Sequence, residues 1–120
     1  VLINPFSIHE ITSYKEKIMK IAIAATSAEA DAQIDQHGAR APYYHFFDTE
    51  TGLSEVLSNP VSNKERSAGP QAAAFLINKG INKMVAGDFG QRFSVELEEA
   101  GVICVQKTGA ITAILAEQRA

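Results

Sequence analysis

The chain has 120 residues, 46% hydrophobic and 21% charged, with a net charge of −3. That length allows one domain with a real core, and the charge excludes a general nucleic-acid binder, which needs a dense basic footprint. No apolar run approaches the ~18 residues of a membrane span. The single cysteine, Cys104, rules out an internal disulfide and an ordinary iron–sulfur cluster held by about four thiolates; the default location is cytoplasmic.

The opening stretch "VLINPFSIHEITSYKEKI" has no basic segment followed by an apolar one, so it does not read as a secretory signal. "SYKE" (Ser13–Glu16) has the spacing of a helix-capping box, and Met19 reads as a natural chain start. The expected division is an N-terminal segment over 1–18, read as an extension that docks on the domain without making its site or else as an upstream reading-frame segment, and one domain over 19–120. His9 is given no role.

"KIAIAAT" (Lys20–Thr26) is a short apolar run, as a strand buried on both faces should be. After a polar stretch, "YYHFFDT" (Tyr43–Thr49) is aromatic-rich and strand-like. "ETG" marks a tight turn into "LSEVLS" (Leu53–Ser58), which alternates apolar and polar; together they read as a β-hairpin with one half-exposed strand. The period then changes. A helix is predicted from Gly69 as cap and Pro70 at its first position, with Ala72, Phe75 and Leu76 on one face and Gly80 beyond its end. "KMVAGD" is a strand. "GQRFSVELEEAG" is a helix with Phe93, Leu97 and Ala100 inward. "VICVQ" is a strand, and "GAITAILAEQRA" a last helix with Ile111, Ile114 and Leu115 facing in. The order β-β-β-α-β-α-β-α, under the right-handed crossover rule, predicts an α/β fold: a mixed five-stranded sheet with helices on both faces. It suggests the ribonuclease H-like three-layer architecture, strand order 3-2-1-4-5.

In such sheets ligands sit beyond the carboxyl ends of the parallel strands. Three segments would meet there: "ATSAE" with Thr26 and Ser27, "AGDFGQRF", and "VQKTG". In the second, Gly87 and Gly90 bracket a strand-to-helix turn. The helix after it offers unpaired N–H groups from Gln91 onward, a natural anion site. Phe89 is exposed there or folds back into the core, and the competing reading is an empty glycine-eased turn. In the third, Lys107 and Thr108 precede a helix, either facing a ligand or serving as a solvated lysine and an N-cap.

"DQHGARAPYYHFFD" (Asp35–Asp48) holds two histidines and an arginine. Arg40 suits an anion through its fork of donors, and His37 can turn toward the same ligand as a possible metal contact. The alternative is a solvated loop. His45, on one strand face with Tyr43 and Phe47, reads as a core histidine, and the His37–His45 spacing matches no zinc pattern. Cys104 reads as a buried small hydrophobe, and Lys64 and Arg66 as loop charges. A nuclease is not expected: the central strand carries no acid, and Asp31, Asp35, Asp48 and Asp88 make a poor two-metal cage. With no Ser/His/Asp group and no Walker loop, no enzyme is expected.

"MKIAIAATS", "DQHGARAPYYHFFDTETG" and "SAGPQAAAFLINKGINKMVAGDFGQRFSVELEEAGV" resemble, in order and spacing, the dinitrogenase iron–molybdenum cofactor biosynthesis family. The resemblance runs from Met19 to about Ala116. It implies a ribonuclease H-like fold without nuclease activity and small carriers of metal–sulfur cofactors. One type within the family carries a molybdenum–copper sulfide cluster without covalent attachment, and this sequence is similar to that type. The family's loop motif falls on His37, Gly38, Arg40, Ala41 and Pro42, with "HGARAP" in place of "FGRAP". Its glycine turn falls on Gly87 and Gly90, with Phe89 between. A thiometallate is an anion whose metals already carry sulfide, so N–H groups, Arg40 and Lys107 beside apolar surface would suit it. The expected function is non-covalent carriage of such a cluster. Other proteins of a complex are possible partners, with neither nucleic acid nor membrane. The alternative is a regulatory or protein-interaction module of the same fold that binds a small anion or a nucleotide.

Overall fold

Five of the six residues of β1 (Lys20–Ala25) are buried, which is what a central strand covered on both faces requires. In the computed structural model, which describes residues 19–52, 54–63 and 66–119, this strand is the middle of the sheet. The expected extension over 1–18 and Lys64 lie outside the described residues. β2 (Tyr43–Asp48) and β3 (Ser54–Ser58) follow. Then come helix α1 (Ala68–Asn78), β4 (Lys83–Ala86), α2 (Gln91–Glu99), β5 (Ile103–Gln106) and α3 (Ile111–Arg119). The sheet order is β3-β2-β1-β4-β5, as the sequence predicts. β2 runs antiparallel to β1 with His45 opposite Ile23, and β3 antiparallel to β2. β4 and β5 run parallel to β1, with Ile23, Val85 and Val105 in register.

The pleat divides β1 between two cores. Ala22 and Ala24 face α1 and α2, in one cluster with Ala72, Ala73, Leu76, Phe93 and Leu97. Ile21, Ile23 and Ala25 face α3, in a second cluster with Phe47, Val85, Ile111 and Ile114.

Three local expectations are corrected. α1 begins at Ala68, not after a Gly69 cap, because Ser67 takes the left-handed backbone (φ 60°) at the N-cap. Ala100 does not face inward: α2 stops at Glu99, and the chain reverses at Gly101 (φ 88°). There the Gly101 and Val102 N–H groups close on the carbonyls of Glu98 and Leu97, a Schellman-type ending. Cys104 is half-buried rather than buried, since β5 is an edge strand with a neighbour on one side only.

Candidate functional site

Beyond the carboxyl end of β1 the chain turns over residues 26–32 and comes back to the sheet. Ile34 pairs with Ala25, the Asp35 N–H donates to the Ala24 carbonyl (2.8 Å), and the Gly87 N–H donates to the Asp35 carbonyl (2.9 Å). The Gly38 N–H then donates to the Asp88 carbonyl at 2.9 Å. Residues 34–38 therefore fill the crevice between β1 and β4, where a ligand was expected. Gly87 makes this possible: a Cβ there would stand 2.8 Å from Cα of Gln36. Its missing side chain admits a neighbouring backbone, not a ligand.

The filled crevice separates the predicted residues into two groups. On one side lie Thr26, Ser27, Lys107 and Thr108. The Thr26 hydroxyl accepts from the Gln33 N–H, and the Ser27 hydroxyl from the Glu29 N–H. The Ser27 carbonyl accepts from Nε2 of buried His45 at 2.9 Å. Nζ of Lys107 is 3.1 Å from a Glu117 carboxylate oxygen. Thr108 is exposed. None of these, nor Gly87, lines the cleft described next.

On the other side, His37, Gly38, Arg40, Phe89, Gly90 and Gln91 line one cleft of about 380 Å³. Ala39, Ser67, Ala68, Gly69, Pro70, Asp88, Arg92 and Phe93 complete it. The first turns of α1 and α2 both open onto this space. Neither has a side-chain cap or an acidic residue in its first turn. The first turns of two helices, with the positive ends of their dipoles, therefore border one space, where α1 has the N–H groups of Ala68 and Gly69 and none at Pro70. The two ends touch: a Cβ on Gly69 would lie 3.2 Å from the backbone nitrogen of Phe93. Gly90 enters α2 at φ 72°, ψ 153°, a backbone state open essentially to glycine alone.

The wall is apolar. Phe89 folds back, 8% exposed, and stacks on Phe93 with ring centroids 5.9 Å apart. A Cβ on Gly38 would strike the Phe93 ring at 2.7 Å, so only glycine lets the loop lie on that ring. The rim is charged. Arg40 and Arg92 are exposed there, and Arg66 stands one residue before the α1 cap. Asp88 is the opposing charge, its carboxylate 3.5 Å from the Gln106 amide. The exposed His37 ring has Nδ1 3.4 Å from Oδ1 of Asp35, which also accepts the His37 N–H at 2.7 Å. That contact occupies Nδ1, so Nε2 is the ring nitrogen available at the rim.

The sequence reasoning missed the α1 contribution, Ser67 to Pro70, and Arg92. "SAGP" reads as a helix start, but nothing local in it says that the start faces the turn at Gly90. Among the described residues, no three His, Cys, Asp or Glu side chains stand where they could share a metal ion. No described helix is long and apolar enough to cross a membrane. Burial, with a smaller push from Glu98, raises the Cys104 thiol to about 11, so it is protonated at neutral pH.

Solved structures share this fold. A protein from Thermotoga described as a NifB protein of the DUF35 family is 26% identical, over 84% of this chain and 90% of that one, with a TM-score of 0.71. The apo orange protein from Desulfovibrio gigas is 23% identical over 84% of this chain and 90% of its own, with a TM-score of 0.74. A protein from Methanocaldococcus jannaschii described as a dinitrogenase is 8% identical over 82% and 86%, with a TM-score of 0.61. The last two likenesses speak to the fold alone. No curated protein sequence matches this chain. The family model for dinitrogenase iron–molybdenum cofactor proteins matches residues 19–119, nearly the whole described body, and the chain therefore belongs to that family.

Proposed function

We propose that this protein is a non-catalytic carrier that holds an anionic metal–sulfur cluster, molybdenum with copper, in the cleft between the 37–41 loop and the starts of α1 and α2. This is the cargo of the orange-protein type within the family. The observation that carries the reading is the convergence of two uncapped helix N-termini and two arginines on an apolar, phenylalanine-walled cleft. Backbone N–H groups and guanidinium forks suit the sulfide and oxide edges of a thiometallate, and Phe89 and Phe93 suit its softer faces. A cluster that brings its own sulfide needs no cage of side-chain ligands; Nε2 of His37 offers one contact at the rim. The cleft's volume lies within the ~300–1,000 Å³ of small-ligand sites. Asp88 is the one group in it that opposes an anion. The proteins that load and receive the cluster are its partners in this reading.

The test adds tetrathiomolybdate and copper to apo protein, then follows visible absorption and metal content after desalting. Stoichiometric molybdenum and copper are expected to stay bound; retention of neither overturns the proposal. Arg40→Ala or Arg92→Ala is expected to weaken retention about 10-fold or more, the worth of a charged hydrogen bond. Lys107→Ala, which lies outside the cleft, is expected to leave it unchanged.

A second reading rests on the same stacked rings beside helix N-termini, which also suit a nucleotide with its base on Phe89 and its phosphates on the N–H groups. Thermal stabilisation by nucleotides, with none by thiometallate, would put this reading in place of the first.

A further inference from the structure

The loop that carries His37 and Arg40 is held from beneath by two buried polar side chains. The Tyr44 hydroxyl donates to the Gly38 carbonyl at 2.7 Å and lies 3.3 Å from that of Ala39. The Asn59 amide nitrogen is 2.8 Å from the carbonyl of Ala39, 2.8 Å from that of Ala41 and 3.1 Å from the Tyr44 hydroxyl. The Asn59 N–H donates to the Pro42 carbonyl at 3.0 Å, and its side-chain oxygen accepts from the Val61 N–H at 3.0 Å. Tyr44 is fully buried and Asn59 5% exposed. The Tyr44 ring is itself fixed, stacked on Phe75 and edge-on to Phe46.

These bonds have a pattern. They take the carbonyls of Gly38, Ala39, Ala41 and Pro42, on both sides of Arg40. Apolar packing alone could bury this stretch, whereas a fully satisfied polar network fixes one backbone geometry among several of similar compactness. The carbonyls held are the ones that set where the Arg40 side chain leaves the backbone. We infer that Tyr44 and Asn59 are positioning residues for cluster binding, acting through Arg40: they hold the 38–42 backbone so that its guanidinium stands over the cleft. The inference rests on the cleft being the seat of the cluster.

The experiment is a double-mutant cycle on the full chain. Tyr44→Phe keeps the ring and its stacking and removes only the hydroxyl. In apo protein it is expected to raise amide exchange at Gly38 and Asn59, whose N–H groups donate at the two ends of this loop, and leave β4 amides unchanged. With tetrathiomolybdate and copper, retention is expected to fall about three- to tenfold, the worth of one hydrogen bond, with a shifted visible spectrum. In an Arg40→Ala background the same change is expected to cost nothing further, because the group it acts through is gone. Asn59→Ala, taken through the same cycle, should behave alike. Wild-type retention matched by Tyr44→Phe, or an equal loss with and without Arg40, overturns this inference alone. Wild-type protein that retains no metal overturns the carrier reading itself.

Discussion

The Cys104 thiol sits half-buried on the edge strand β5, where burial and the nearby Glu98 carboxylate both disfavour the thiolate. Its pKa rises from its ordinary value near 9 to about 11. The folded state therefore holds this proton more tightly than the unfolded state. The stability that goes with it is in place below about pH 9 and is lost as pH rises through about 11. Alkylation by iodoacetamide is expected to be slow at pH 8, to accelerate toward pH 11, and to become fast at pH 8 once denaturant unfolds the chain. Fast reaction of the native protein at pH 8 would contradict this environment. At this scale the sequence is legible where chemistry is intrinsic to a residue type and mute where a partner decides. Arg40 and Lys107 look alike on paper as loop cations. Only the fold shows that one reaches a cleft and the other a glutamate on α3.

Among elements, the two helix starts that open the cleft lack the acidic first-turn residues that helices commonly use to offset their dipoles. Supplying one sets two effects against each other. Gln91→Glu is expected to stabilise the apo protein by ~0.3–1 kcal/mol, seen as a higher denaturation midpoint. The same carboxylate would repel the anionic cluster proposed above, so thiometallate retention should fall while stability rises. A fall in both would point instead to disruption of α2. The element order and sheet topology were legible because each strand and helix declares its own period. The cleft was not, because it is made where the start of α1 meets the turn at Gly90, and neither segment encodes the other. The crevice-filling run of Ile34 to Gly38 was hidden for a related reason. Its strand-like pairing depends on Gly87 leaving room for Gln36, a fit visible only in three dimensions.

Across the whole molecule, the sheet separates two apolar clusters with different duties. The cluster with α1 and α2 underlies the cleft, and Phe93 belongs to both. The cluster beneath α3 contributes no residue to the cleft's lining. Ile114→Val, which deletes one methylene from that second cluster, is expected to cost ~0.5–1.5 kcal/mol in equilibrium unfolding and to leave thiometallate retention at the wild-type level. Parallel losses in both would show that the two faces are coupled through β1.

The same division sets where this chain can change. Residues that face α3 add nothing to the cleft's lining, so drift, repacking or deliberate stabilisation there would leave the rim and wall of the cleft as they are. The opposite face has no such slack. Gly38 answers to a contact and Gly90 to a backbone state that glycine alone meets, a side chain on Gly69 would press on the Phe93 nitrogen, and Phe93 is at once core, wall and loop support. If the cleft holds the cluster as proposed, a change of cargo would fall to the rim, at His37, Arg40, Asp88 and Arg92, where side chains can be exchanged with the frame left standing.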